Sequence, residues 1–130
     1  MTYLECVTYL NGLGDEVLTM KCGLETTRKL MEELGNPQLD YPSVNIAGTV
    51  GKGSVANLFN SMSTTCGIRT GLYTSPHLIS LKERFLVGGL PIKTQVFARY
   101  FTKIIECVKR LSFAYHPTYF EVLTALAFLY

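Results

Sequence analysis

Seven consecutive residues, Gly48-Thr49-Val50-Gly51-Lys52-Gly53-Ser54, combine the residue types that hold phosphate. Glycines let the backbone bend tightly and turn successive N–H groups inward, a concave nest for anionic oxygens. A helix starting at this point adds its positive end to the same site. Lys52 is then the candidate catalytic residue, meeting the β- and γ-phosphates of a nucleotide, and the Ser54 hydroxyl is within reach of phosphate or Mg²⁺. The match to the common phosphate-loop pattern is incomplete. Ile46 stands where its first glycine belongs, and Gly53 stands where Ser or Thr should follow the lysine. A glycine-rich strand-to-helix turn carrying a solvated lysine is the reading these residues leave open beside nucleotide binding.

The flanking segments must position that turn. Val44 and Ile46 within residues 43–47 predict a short buried strand running into it. Val55, Leu58, Phe59 and Met62 share one face of a following helix that lasts to Cys66-Gly67. A second strand near residues 69–73 leads into the loop Thr74-Ser75-Pro76-His77. Strand, turn, helix and strand make a βαβ unit, whose strands should be parallel with a right-handed crossover.

Outside this unit, Thr2 and Glu5 have capping-box spacing before a short helix that stops at Asn11-Gly12. Leu24, Leu30, Met31 and Leu34 form a helical stripe ended by Gly35, with Pro37 just beyond. Phe85 and Val87 precede a turn at Gly88-Gly89, as in a ribbon. Thr94 can cap a longer helix with the stripe Phe97, Phe101, Ile104, Val108 and Leu111. A last helix starts at Thr118 and is still apolar at Tyr130, with no Gly, Pro or basic last turn. The fold class this predicts is α/β, a parallel P-loop sheet incomplete at the C-terminus, in a fragment or truncated product.

Composition excludes several classes. Hydrophobic residues at 48% and charged ones at 17% suit a packed core and argue against disorder. A net charge of +2 is too small to argue for nucleic acid or an anionic membrane. No apolar run is long enough to span a bilayer, and the N-terminus lacks the pattern of a signal peptide, with Glu5 arguing against a transit peptide. Cys6, Cys22, Cys66 and Cys107 are scattered, without the paired spacing of a zinc site, and read as reduced thiols. Together these predict a soluble intracellular protein.

The compact Gly-Thr-Val-Gly-Lys-Gly-Ser turn resembles the phosphate loop of the Mur ligase superfamily, in particular its folylpolyglutamate and dihydrofolate synthase branch. Further segments fit that branch in order: Leu34-Gly35-Asn36-Pro37, then Gly71-Leu72-Tyr73-Thr74-Ser75-Pro76-His77-Leu78, then Glu83-Arg84-Phe85 and Gly89-Leu90-Pro91-Ile92. The last is Thr118-Tyr119-Phe120-Glu121-Val122-Leu123-Thr124-Ala125-Leu126-Ala127-Phe128. The resemblance implies ATP held by Gly48, Thr49, Val50, Gly51, Lys52, Gly53 and Ser54, Mg²⁺ ligated by Ser75, and a pterin-bearing substrate against Thr118, Tyr119, Phe120 and Glu121. It implies that residues 1–130 are the N-terminal part of an ATP-binding domain like the central domain of Mur ligases, with the C-terminal ligase domain absent.

The implied reaction is a ligation. ATP phosphorylates a folate carboxylate, and the amine of L-glutamate attacks the acyl phosphate. Tetrahydrofolate is the leading acceptor, dihydropteroate the rival, and a truncated non-catalytic nucleotide-binding module the reading from another class. The expected partners are therefore small molecules, in a cytoplasmic monomer with a mitochondrial pool. Val50 departs from the family, which has a polar residue there. The family's acidic metal ligand is also missing from these residues, so the chain alone is expected to be inactive.

Some of these residues have plainer readings. Thr118 and Glu121 also make a capping box. Glu83 and Arg84 could be a solvated charge pair, His77 a loop histidine near an anion, Ser75 a surface-turn serine, and His116 a residue without chemistry.

Overall fold

The computed structural model describes residues 1–14, 23–111 and 116–130. Cys22, one of the scattered cysteines, lies outside them. The described residues form two compact units, Pro42–Lys93 and a discontinuous one made of Met1–Tyr41 and Thr94–Tyr130.

In the discontinuous unit four helices follow the apolar periodicity closely. Helix α1 (Tyr3–Gly12) opens on the Thr2/Glu5 capping box: Glu5 N–H donates to the Thr2 hydroxyl, and Thr2 N–H donates to the Glu5 carboxylate at 2.7 Å. Helix α2 (Glu25–Glu33) ends where Gly35 takes φ 87°, a conformation only glycine adopts freely.

The long helix α4 (Thr94–Arg110) buries Phe97, Phe101, Ile104 and Val108 in one stripe. Each such side chain contributes about 1.5–3 kcal/mol by leaving water. Phe97 stacks on Phe101 at 5.9 Å, and Tyr3 and Tyr9 of α1 meet the two rings edge-on. Thr94 is the first residue of α4 rather than its cap, a shift of one position at a frayed end. Helix α5 (Tyr119–Leu129) buries Val122, Leu123, Ala125 and Leu126, and the hydroxyl of Tyr41 donates to the Phe128 carbonyl at 2.9 Å.

In Pro42–Lys93, helix α3 (Lys52–Thr65) starts inside the glycine turn. Strand β1 (Gly71–Tyr73) pairs antiparallel with β2 (Phe85–Val87), and β2 pairs antiparallel with β3 (Leu90–Pro91). Gly88 and Gly89, at φ 57° and 78°, make the hairpin turn, which needs positive φ at both positions. Tyr73 and Phe85, directly opposite in the ladder, stack at 5.3 Å.

The α/β class therefore holds, but two parts of the expected βαβ unit do not. Residues 43–47 form no strand, Val44 is 66% exposed, and among the described residues the sheet is antiparallel throughout. Alternation reports which face is apolar, not which edge finds a hydrogen-bonding partner, and no described strand is paired with this segment. Likewise the Val55, Leu58, Phe59 and Met62 stripe of α3 is half or more exposed at most positions, whereas Asn60 is the buried residue of that helix. Periodicity identifies a face without saying what covers it.

Candidate phosphate site

The glycine turn is built to leave donors free. Gly51 precedes α3 at φ 80°, with no side chain capping the helix, and the first N–H to enter the helical pattern is that of Val55, which donates to the Gly51 carbonyl at 3.0 Å. The N–H groups of Lys52, Gly53 and Ser54 belong to the first turn, which has no intrahelical acceptor. They converge at the positive end of the helix dipole, equivalent to about half a charge. All seven residues from 48 to 54 are exposed, so the concavity opens to solvent.

Lys52 folds over this turn. Its Nζ donates to the Gly48 carbonyl at 2.6 Å and to the Thr49 carbonyl at 3.3 Å. The ammonium is thus held beside the free N–H groups, where an anion would meet both. Val50 is 91% exposed, and its side chain is apolar and brings no ligand group. The polar groups the turn offers to an anion are backbone N–H groups and the Lys52 ammonium.

A second loop belongs to the same unit. Asn60, on the buried side of α3, accepts the Thr70 hydroxyl at 2.6 Å just before β1. Past β1, Ser75 is exposed in the 74–80 loop. Glu83 accepts N–H bonds from Leu78, Ile79 and Ser80 at 3.1, 3.4 and 2.7 Å. These donors, Leu78 foremost, and the neighbouring His77 hold the Glu83 carboxyl below its usual range. Arg84 is only 2% exposed and donates from Nε to His77 Nδ1 at 2.9 Å.

Glu83 and Arg84 are therefore not a solvated charge pair. Each holds a different part of the loop. The signal for Glu83 was present as Ser80-x-x-Glu83 spacing, and the structure forms that capping box. Nothing in the pattern marked Asn60, Thr70 or the buried state of Arg84. His77 presents the Nδ1 lone pair to the Arg84 Nε–H.

Residues 118–121 belong to the other unit. Thr118 caps α5, and Glu121 Oε2 accepts from both the N–H and the hydroxyl of Thr118, at 2.8 and 3.0 Å. Glu121 Oε1 accepts the Thr27 hydroxyl at 3.0 Å, a partner that sequence reading missed. Tyr119 is partly exposed, and Phe120, 43% exposed, offers the most accessible ring of the stretch. Among the described residues no group of His, Cys, Asp or Glu is assembled to hold a metal ion. Ser54 in the turn and Ser75 in the loop after β1 belong to the same unit, and both offer exposed hydroxyls. Such a set suits a Mg²⁺ that arrives on nucleotide phosphates and keeps several waters, not a dedicated cation cage.

Cys6 and Cys107 are buried and Cys66 exposed, all free, and burial pushes the Cys6 thiol up. No helix among the described residues is long and apolar enough to cross a membrane.

A small antiparallel sheet, a glycine turn at a helix start and a helical unit make an α/β protein, and solved structures of the Mur-ligase type share this fold. No protein-family model matches the chain, but individual proteins do. It is 37% identical over 140 residues to a putative folylpolyglutamate synthase of Caenorhabditis elegans, covering 97% of this chain and 28% of that protein. It is 36% identical over 114 residues to the dihydrofolate synthase/folylpolyglutamate synthase of Bacillus subtilis, covering 85% of this chain and 26% of that one. A solved folylpolyglutamate synthase complex with AMPPCP and folate superposes with a TM-score of 0.90 at 30% identity, over 98% of this chain and 32% of that one. The chain belongs to the folylpolyglutamate synthase/dihydrofolate synthase family, and it spans about three tenths of the length of these relatives.

Proposed function

We propose that this chain supplies the phosphate-binding part of an ATP-dependent ligase that adds L-glutamate to tetrahydrofolate. The observation that carries the proposal is the open turn, in which the Lys52 ammonium sits on the Gly48 carbonyl beside the unpaired first-turn N–H groups of α3. ATP would lie with its terminal phosphates in this turn. The backbone donors would fix the γ-phosphate, and Lys52 would leave its carbonyl partners to offset the charge that builds up during phosphoryl transfer. Mg²⁺, when bound with the nucleotide, supplies further neutralisation, with Ser75 as a candidate oxygen donor. The acyl phosphate on the folate carboxylate then reacts with the glutamate amine, giving amide and phosphate.

Residues 118–121 are proposed to meet the pterin-bearing substrate, with Thr118 and Glu121 shaping the start of α5 and Phe120 providing the contact surface. The solved complex with AMPPCP and folate supports this choice of ligands. The double name of the Bacillus subtilis relative keeps dihydropteroate as the alternative acceptor. We further propose that residues 1–130 form the N-terminal part of the ATP-binding domain, in a protein that works as a cytoplasmic monomer with a mitochondrial pool.

Calorimetric titration of the purified chain with ADP tests the phosphate site. Lys52→Ala should weaken binding by about tenfold or more, the loss of a charge-assisted contact. Equal affinity in wild type and Lys52→Ala would overturn it. Glutamate addition to tetrahydrofolate and to dihydropteroate, measured side by side in a protein of the relatives' full length carrying this sequence, separates the two acceptors.

A further inference from the structure

The connection from β1 to β2, residues 74–84, is tied to its own last two residues. At its base Thr74 N–H donates to the Arg84 carbonyl at 3.1 Å, continuing the ladder beyond the Tyr73–Phe85 pair. Higher up, Arg84 Nε holds His77 Nδ1 at 2.9 Å. Glu83 gathers the N–H groups of Leu78, Ile79 and Ser80. Ser75 lies between the two residues held by Arg84, exposed at the crest of a segment whose flanks are fixed.

Burying a guanidinium costs several kcal/mol of desolvation, and an apolar residue just before β2 would be buried more cheaply. What an apolar residue cannot supply is a directed N–H for His77. Lysine could keep the charge but lacks the planar fork that places Nε–H at this angle.

We propose that Arg84, acting through His77, is a positioning residue that holds the Ser75 hydroxyl where a nucleotide-bound Mg²⁺ meets it. This rests on the phosphate-site reading above. Arg84 touches neither nucleotide nor metal. It restricts the 74–77 segment so that Ser75 does not have to be ordered when the metal–nucleotide binds, which lowers the entropic cost of that step.

The experiment measures ADP affinity of the purified chain with and without Mg²⁺, in wild type, Ser75→Ala, His77→Ala, His77→Asn and Arg84→Lys. In wild type Mg²⁺ should strengthen ADP binding, and Ser75→Ala should remove that gain. His77→Ala and Arg84→Lys should each lose about tenfold of metal-dependent affinity while metal-free ADP affinity stays within about twofold. His77→Asn, whose Oδ1 can replace Nδ1 as acceptor, should recover the gain. Ser75→Ala combined with His77→Ala should lose no more than Ser75→Ala alone, because both changes act on one contact.

His77→Ala leaves the buried arginine in place, so it answers the question even if Arg84→Lys does not fold. A folded His77→Ala chain that keeps the full Mg²⁺ gain overturns the inference, as does a loss additive with that of Ser75→Ala. A wild-type chain that binds no ADP overturns the phosphate-site reading instead. ADP binding that depends on Lys52 but gains nothing from Mg²⁺ overturns the Ser75 role and this inference while sparing the turn.

Discussion

Asn60 Oδ1 accepts the Thr70 hydroxyl at 2.6 Å, joining the helix that begins in the phosphate turn to the strand that leads to Ser75. Asn60 is 7% exposed, and it is the buried residue of α3. A buried polar bond thus links that helix to the residue just before β1.

Thr70→Val follows directly from this bond. Valine fills the same space but leaves Asn60 Oδ1 buried without its donor, at a cost of about 1–3 kcal/mol. Urea unfolding should show the loss as a lowered midpoint with unchanged slope. Thr70→Ser, which keeps the hydroxyl, should recover most of it.

Acid should release the far side of the Ser75 loop through Glu83. Its folded pKa is lowered, chiefly by the Leu78 N–H, so the stabilisation is complete above the ordinary value of 4.5. It is lost as pH falls through the lower folded value. Protection factors of the Leu78, Ile79 and Ser80 amides, measured by exchange NMR, should be constant between neutrality and that range and then drop. In Glu83→Gln they should be low and independent of pH. Wild-type protection that persists in acid would refute the role given to the carboxylate.

The capping box at α5 should behave as a structural element whatever it also contacts. Thr118→Ala removes the side-chain acceptor of the Glu121 N–H and one donor to its carboxylate, for about 1 kcal/mol. Thr27→Val removes the donor to Glu121 Oε1. If the two changes act through the same carboxylate, their combined effect on the melting temperature will fall short of the sum.

The exposed stripe of α3 predicts the opposite response to polar substitution. Leu58→Gln and Met62→Gln, at 64% and 68% exposure, should alter stability by no more than about 0.5 kcal/mol. Light scattering of concentrated solutions should fall, since an apolar patch favours self-association. A large loss of stability would mean that this face is buried.

Local chemistry was legible in the residues themselves. The capping boxes at Thr2 and Thr118, the glycine stops after α2 and at the Gly88-Gly89 hairpin, and the core stripe of α4 all depend on contacts within a few positions of chain. The glycine turn leading into α3 was legible for the same reason, because its bend and the lysine folded over it involve consecutive residues. Tertiary structure decided whatever required a partner far along the chain or a neighbouring edge. It left residues 43–47 without a ladder, turned the apolar face of α3 to solvent, and joined Thr27 to Glu121 across 94 positions. It also took Arg84 out of water and set it against His77. Side-chain type and spacing state what a residue can bond to, and only the folded chain determines which partner is within reach.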